Sequence, residues 1–301
     1  RVIKLIARAK SQVLGIFRAA PGGGARVIPV DKRARSQEYL VAPDHAGAAR
    51  DGDLVAIEVQ RSHRFGSPQA RVREKLGSLA TEKAVSLIAI HAHQIPNVFA
   101  PAALAEAERA EEATMRGRED WRALPLVTID PADAKDHDDA VHAAPDPDPA
   151  NPGGHILTVA IADVAAYVRV GSALDREALE RGNSVYFPDR VVPMLPERIS
   201  NDLCSLKAGV DRPALAVRMT INANGRKLRH SFHRVMIRSA AKLAYPQAQA
   251  AIDGDPDDTT RPLLEGVLRP LWAAYQALSI ERDRRSPLDL DLPEQIGRAH
   301  V

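Results

Sequence analysis

The chain has 301 residues, 45% of them hydrophobic, with 41 Lys and Arg against 39 Asp and Glu and a formal net charge of +2. That length supports one large core or two ordinary ones, and no apolar run approaches the roughly 18 residues that a membrane-spanning helix needs. Cys204 is the single cysteine, which excludes a disulfide framework and a thiolate zinc site, and the opening RVIKLIARAK lacks the apolar centre of a signal peptide, so the expectation is a soluble cytoplasmic protein with no membrane attachment.

The charge is unevenly spread. Residues 1–79 hold 15 Lys and Arg against 7 Asp and Glu, a net of +8, whereas residues 80–301 hold 26 against 32, a net of -6. VIKLI, QVLGIFRA, ARVIPV, DLVAIEVQ and ARVREKL are short segments rich in Val, Ile and Leu. The turn-forming stretches PGGG (21–24), APDHAG (42–47) and RDGD (50–53) punctuate them, and the pattern predicts a small five-stranded barrel of OB or SH3-like type. A basic OB barrel suits single-stranded nucleic acid, held with strong salt dependence. Only Phe17, Tyr39 and Phe65 are available there as stacking platforms, and Phe17 reads equally well as core. The plainer reading of the charge is a solvated surface.

Residues 78–113 predict two helices joined across Ile95 to Pro101, the first capped by Thr81 and the second running over the Ala/Glu-rich Ala102 to Ala113. His91 and His93, two positions apart on a helix, point to different sides and read as structural rather than as a metal pair.

TIDPADAKDHDDAV (128–141) then crowds Asp130, Asp136, Asp138 and Asp139 together, with Asp133 between them. LPLVTID and DAVHAA have strand character, so the layout is strand, acidic loop, strand. With residues 136–138 extended, Asp136 and Asp138 share a face and Asp130 can fold back toward them. Carboxylates this close raise one another's pKa unless a cation neutralises them, and oxygen ligands select Mg²⁺ or Mn²⁺ over zinc. An EF-hand is excluded: counted from Asp130 or Asp136, the sixth position is not Gly and the twelfth is Val141 or Pro147. DGDPDDTT (253–260) is equally acidic but lies between helical stretches and carries Gly and Pro, which predicts a solvated loop. On composition alone, metal site and solvated loop remain open for the first cluster.

IDPADAKDHDDAV, with VAIADVAAYV (159–168), GSALDREALERGNSVYFPDRVVPMLPERISNDLCSLKAG (171–209), RPALAVRMTI (212–221) and IRSAAKLAYPQA (237–248), resembles the catalytic domain of the ribonuclease II and ribonuclease R (RNB) family of exoribonucleases. The resemblance covers about residues 124–294, and residues 1–79 resemble the second cold-shock domain that precedes it. It implies an α+β chain: an OB-type cold-shock domain at 1–79, a helical connector at 80–123 and the first part of a mixed α/β RNB domain at 124–295. The family's I-D-x5-D-x-D-D pattern lands on Asp130, Asp136, Asp138 and Asp139 as catalytic and metal-holding residues, with Asp138 the most critical. Tyr186 and Tyr245 match RNA-contacting aromatics. The implied activity is processive, Mg²⁺-dependent hydrolysis of single-stranded RNA from its 3′ end to nucleoside 5′-monophosphates by a monomeric exoribonuclease II type hydrolase, with Mn²⁺ able to replace Mg²⁺.

Departures from the family matter too. The family's remaining catalytic arginine and glutamate, its first cold-shock domain and its S1 domain find no match, so the expectation is an internal piece that does not turn over RNA by itself. Ile296–Val301 reads as a non-native tail. The alternative is a non-catalytic RNA-binding protein with a basic barrel and an acidic loop.

Overall fold

A computed structural model describes residues 13–20, 23–30, 38–60, 68–78 and 83–286. In chain order the elements begin with β1 (Val13–Ala19), β2 (Ala25–Pro29), β3 (Tyr39–Val41), β4 (Asp53–Val59), β5 (Ala70–Ser78), α1 (Lys83–Ala92), α2 (Pro101–Glu108) and β6 (Glu119–Asp120). There follow β7 (Val127–Asp130), β8 (Asp139–Pro145), β9 (His155–Ala162), α3 (Ala173–Arg181), β10 (Val185–Phe187), β11 (Arg190–Val192), β12 (Asp211–Ile221), β13 (Lys227–Arg238), β14 (Ala241–Ala244), α4 (Tyr245–Ile252) and α5 (Arg269–Arg284). Among the described residues one compact unit holds those up to Val98 together with Asn183–Val192, and a second holds Phe99–Gly182 and those from Pro193 onward. The two helices of the expected connector therefore fall in different units. None of the described helices is long and apolar enough to cross a membrane.

In the first unit the sheet runs β3-β2-β1-β4-β5 with antiparallel neighbours. A parallel bridge from Leu40 to Gln69 joins its two ends, with Leu40 N donating to Pro68 O at 3.0 Å. That closure is the OB arrangement rather than the SH3-like one. Alternation along the strands turns Phe17, Val27, Val41, Val55 and Ile57 inward, as a half-buried pleated strand requires. Two expectations are corrected. Phe17 and Tyr39 are 4% and 6% exposed and belong to the core, so neither is a stacking platform. The strand Tyr39–Val41 also went unforeseen, because three residues are too few to show a period. VIKLI, Phe65 and Thr81 lie outside the described residues. In the same unit, β10 and β11 form a hairpin, and Ser86 of α1 hydrogen-bonds Asp189 between its strands.

The second unit is built on a seven-stranded mixed sheet, β14-β7-β8-β9-β12-β13-β6, in which only the outermost pairs are parallel. Alanines 140, 160, 162, 214 and 216 face one side. There they pack with Ala103 and Ala107 of α2, Leu174 of α3, and Ile199, Leu203 and Leu206 of the segment before β12. Small side chains on both partners let helix and sheet approach closely. On the opposite side α4 covers Val127 and Leu243, and Ala274 and Ala277 of α5 cover Ala143, Leu157 and Ile221. The second connector helix stops at Glu108 instead of running on to Ala113.

The turn from β12 to β13 meets α5 at Gly225. Its φ is +78°, and a Cβ there would stand 2.0 Å from the Ala277 carbonyl oxygen. Gly225→Ala is expected to lower the unfolding free energy by about 3 kcal/mol, combining left-handed backbone strain with overpacking against main chain. Chemical denaturation checks this.

Candidate active site

β7 ends on Asp130 and β8 begins on Asp139, so the strand pair delivers a carboxylate at each end of the connecting loop. Asp136 and Asp138 are exposed while His137 between them is buried, the alternation expected of an extended segment. His137 Nδ1 lies 2.8 Å from Oδ2 of the buried Asp130. Its backbone N donates to Ser205 Oγ at 3.3 Å, and its carbonyl accepts from Leu206 N at 2.7 Å. The Asp138 carbonyl accepts from Ala162 N at 2.8 Å. The loop is thus pinned through main chain, and its exposed carboxylates take no part in the pinning.

Ser205 is itself held. The buried Arg212 donates from Nε to Ser205 O at 3.2 Å and from Nη1 to Glu112 Oε1 at 3.1 Å, and its Nη2 lies 3.5 Å from Asp202 Oδ1. One fork therefore ties three stretches of chain together behind the acidic loop.

Burial, and then the charges of Asp138 and Asp130, push the Asp139 carboxyl above its ordinary range. Asp138 and Asp130 thus lie close enough to Asp139 for their charges to bear on it. The donor set is hard oxygen with unneutralised negative charge, which fits a divalent cation such as magnesium. As placed, no three His, Cys, Asp or Glu side chains among the described residues converge on one point, and one oxygen of Asp130 is taken by His137. Chelation would require the exposed carboxylates to turn inward.

The two tyrosines are placed differently. Tyr245 is 57% exposed and directly follows Ala244, whose register partner in the parallel β14–β7 pair is Asp130. It therefore stands at the same sheet end as the acidic loop. Tyr186 is 69% exposed on β10, in the other unit. The second acidic stretch is a loop after α4, as expected, but Asp257 is more than solvated. Its carboxylate accepts from Thr259 N, Thr260 N, Thr260 Oγ1 and Gln247 Nε2, and these bonds lower its pKa to about 2. Cys204 is buried and its thiol is pushed up to about 12, chiefly by that burial, consistent with ordinary core.

Sequence reasoning missed His137, Ser205 and Arg212. For His137 a signal existed: two positions of alternation between exposed aspartates send the middle residue inward. Nothing local marks Ser205 or Arg212, whose roles depend on strands far apart in the chain. The same holds for Asp163, buried after β9, whose Oδ2 meets Arg118 Nη2 at 2.7 Å and Arg234 Nε at 2.8 Å.

A family model described as RNB domain matches residues 118–297, and one described as cold shock domain matches 27–100. Ribonuclease R of Vibrio parahaemolyticus is 40% identical over 301 residues, a match covering 98% of this chain and 35% of that relative. The chain thus spans about a third of that relative's length. Mycoplasma genitalium RNase R, solved in complex with ribose methylated single-stranded RNA, superposes with a TM-score of 0.83 at 24% identity, over 97% of this chain and 46% of that one. Yeast Ssd1, a pseudonuclease, gives a TM-score of 0.60 at 16% identity over 96% and 36%. At these identities the two structures show the fold alone, and they show it for a nuclease and a pseudonuclease alike. The RNB match over most of the chain, the cold-shock match ahead of it and the identity to ribonuclease R together establish that this chain belongs to the RNB family, in its ribonuclease R-like group.

Proposed function

We propose that the complete protein is a hydrolytic 3′–5′ exoribonuclease acting as a cytoplasmic monomer on single-stranded RNA and releasing nucleoside 5′-monophosphates. The observation that carries this reading is the β7–β8 pair of an RNB-family chain ending and beginning on Asp130 and Asp139, with the charges of Asp130 and Asp138 bearing on Asp139. These three, with Asp136, are the residues to hold Mg²⁺, or Mn²⁺ in its place. The ion when bound supplies charge neutralisation at the scissile phosphate and acidifies water. The chain's own contribution is position. Main-chain bonds to Ser205, Leu206 and Ala162 fix the loop, so the carboxylates are presented with little reorganisation. Tyr245 offers an exposed ring beside them for a terminal base, and Tyr186, in the other unit, is an exposed ring proposed to contact RNA as well. Base–aromatic stacking contributes about 1–3 kcal/mol whatever the base, as an enzyme accepting every sequence requires.

The competing reading, RNA binding without turnover, draws support from the lack of a converged chelate among the described residues. A 5′-labelled oligoribonucleotide separates the two. With magnesium, the complete protein is expected to shorten it one nucleotide at a time from the 3′ end and to stop when chelator is added. RNA that is bound but left intact at every metal concentration would favour the non-catalytic reading.

A further inference from the structure

We propose that a depression beside Arg118, separate from the acidic loop, binds a backbone phosphate of the RNA strand. The depression has a volume of about 330 Å³ and is lined by Arg116, Arg118, Arg169 and Arg234, with Thr114 and Ala166. Asp163 is the one carboxylate that pairs with any of these guanidiniums among the described residues, and it takes both Arg118 Nη2 and Arg234 Nε on a single oxygen. Arg116 and Arg169 are exposed and make no ion pair there. The site thus has an excess of positive charge over its counterion.

An independent observation points to a missing acceptor. The Arg118 side chain is 6% exposed, and its Nη1 is enclosed with no hydrogen-bond partner. A buried N–H without an acceptor is costly, and a guanidinium fork matches a tetrahedral oxyanion carrying several oxygens.

Register then argues for a strand phosphate. Asp139, Ile161, Leu215 and Arg234 are successive cross-strand partners on β8, β9, β12 and β13. Directly paired residues share a face, so Arg234 stands on the same face as Asp139, about 14 Å away at the usual strand spacing. Ile161 and Leu215 lie exposed between them. One polyanionic chain laid along this row would meet Asp139 at one end and the arginines at the other. The proposal rests on the RNA reading above and adds a second anchor to it.

The test is binding of an oligoadenylate of about 15 nucleotides to the 301-residue chain, comparing wild type with the Arg116→Gln/Arg169→Gln double variant. Both positions are exposed, so the fold is expected to be retained; a matched thermal midpoint checks that. The expected result is about a tenfold loss of affinity at moderate salt, with the salt slope reduced by about 1.4 for two lost contacts. Arg269→Gln/Arg282→Gln, on the exposed side of α5, is the control and should bind as wild type. Unchanged binding by the first pair, or an equal loss in the control, overturns the proposal. Wild type that binds no RNA at all would instead fail the RNA reading on which it rests. If inorganic phosphate stabilises wild type but not the double variant while RNA affinity is equal, the depression takes free phosphate and the strand assignment is overturned.

Discussion

Asp138→Asn in the complete protein is expected to slow single-turnover cleavage at saturating RNA and magnesium by at least about a hundredfold, the loss typical of a group that positions a metal. RNA binding should persist or tighten, because the substrate is a polyanion and one repulsive charge has gone. The substitution is clean for a structural reason. The Asp138 carbonyl, not its side chain, holds the loop against Ala162, so the amide leaves the anchoring in place. The matched control is Asp258→Asn in the second acidic stretch. Asp257 would serve poorly, since its carboxylate organises the turn leading to Thr260. Equal rates for the Asp138 and Asp258 variants would mean that the first acidic run is no more than a solvated loop.

Asp163→Asn is expected to cost about 3–5 kcal/mol of folding stability, because it leaves the buried Arg118 guanidinium without its counter-charge. Burial by itself would raise the Asp163 carboxyl, but hydrogen bonds from Arg234 and Arg118 outweigh it and hold the group below its ordinary value. A depressed carboxyl stabilises the fold fully above the unfolded-state pKa, near about 4, and loses that contribution as pH falls through the lower folded value. Urea unfolding at neutral pH and at successively lower pH should therefore show wild type falling toward the variant on acidification. A gap independent of pH in that window would assign the loss to packing instead.

Much of this architecture is legible in the residues. The barrel's strands show as short Val/Ile runs separated by turn chemistry, and the acidic loop stands between two recognisable strands. What escaped had physical reasons. Tyr39–Val41 is too short for periodicity to register. Phe17 and Tyr39 looked available for stacking because composition does not say which face of a strand an aromatic occupies; register and closure decide that. His137 was hidden by its charged neighbours, although alternation marks it as the inward residue. The supports from Ser205, Arg212 and the Asp163 ion group join segments far apart in sequence, and no local pattern encodes such pairings. Tyr245's place beside Asp130 likewise depends on β14 pairing with β7, which only the folded sheet reveals.

That edge pairing has a kinetic consequence. β7 meets β8 at one register pair, Val127 with Val141, but runs alongside β14 over its whole length from Val127 to Asp130. A chain emerging from the ribosome carries every aspartate of the acidic run well before β14 exists. Until that late strand docks in parallel, the strand bearing Asp130 lacks its principal neighbour, and parallel pairing between distant segments is among the slower steps of folding. Assembly of this end of the sheet is therefore deferred to a late stage of synthesis.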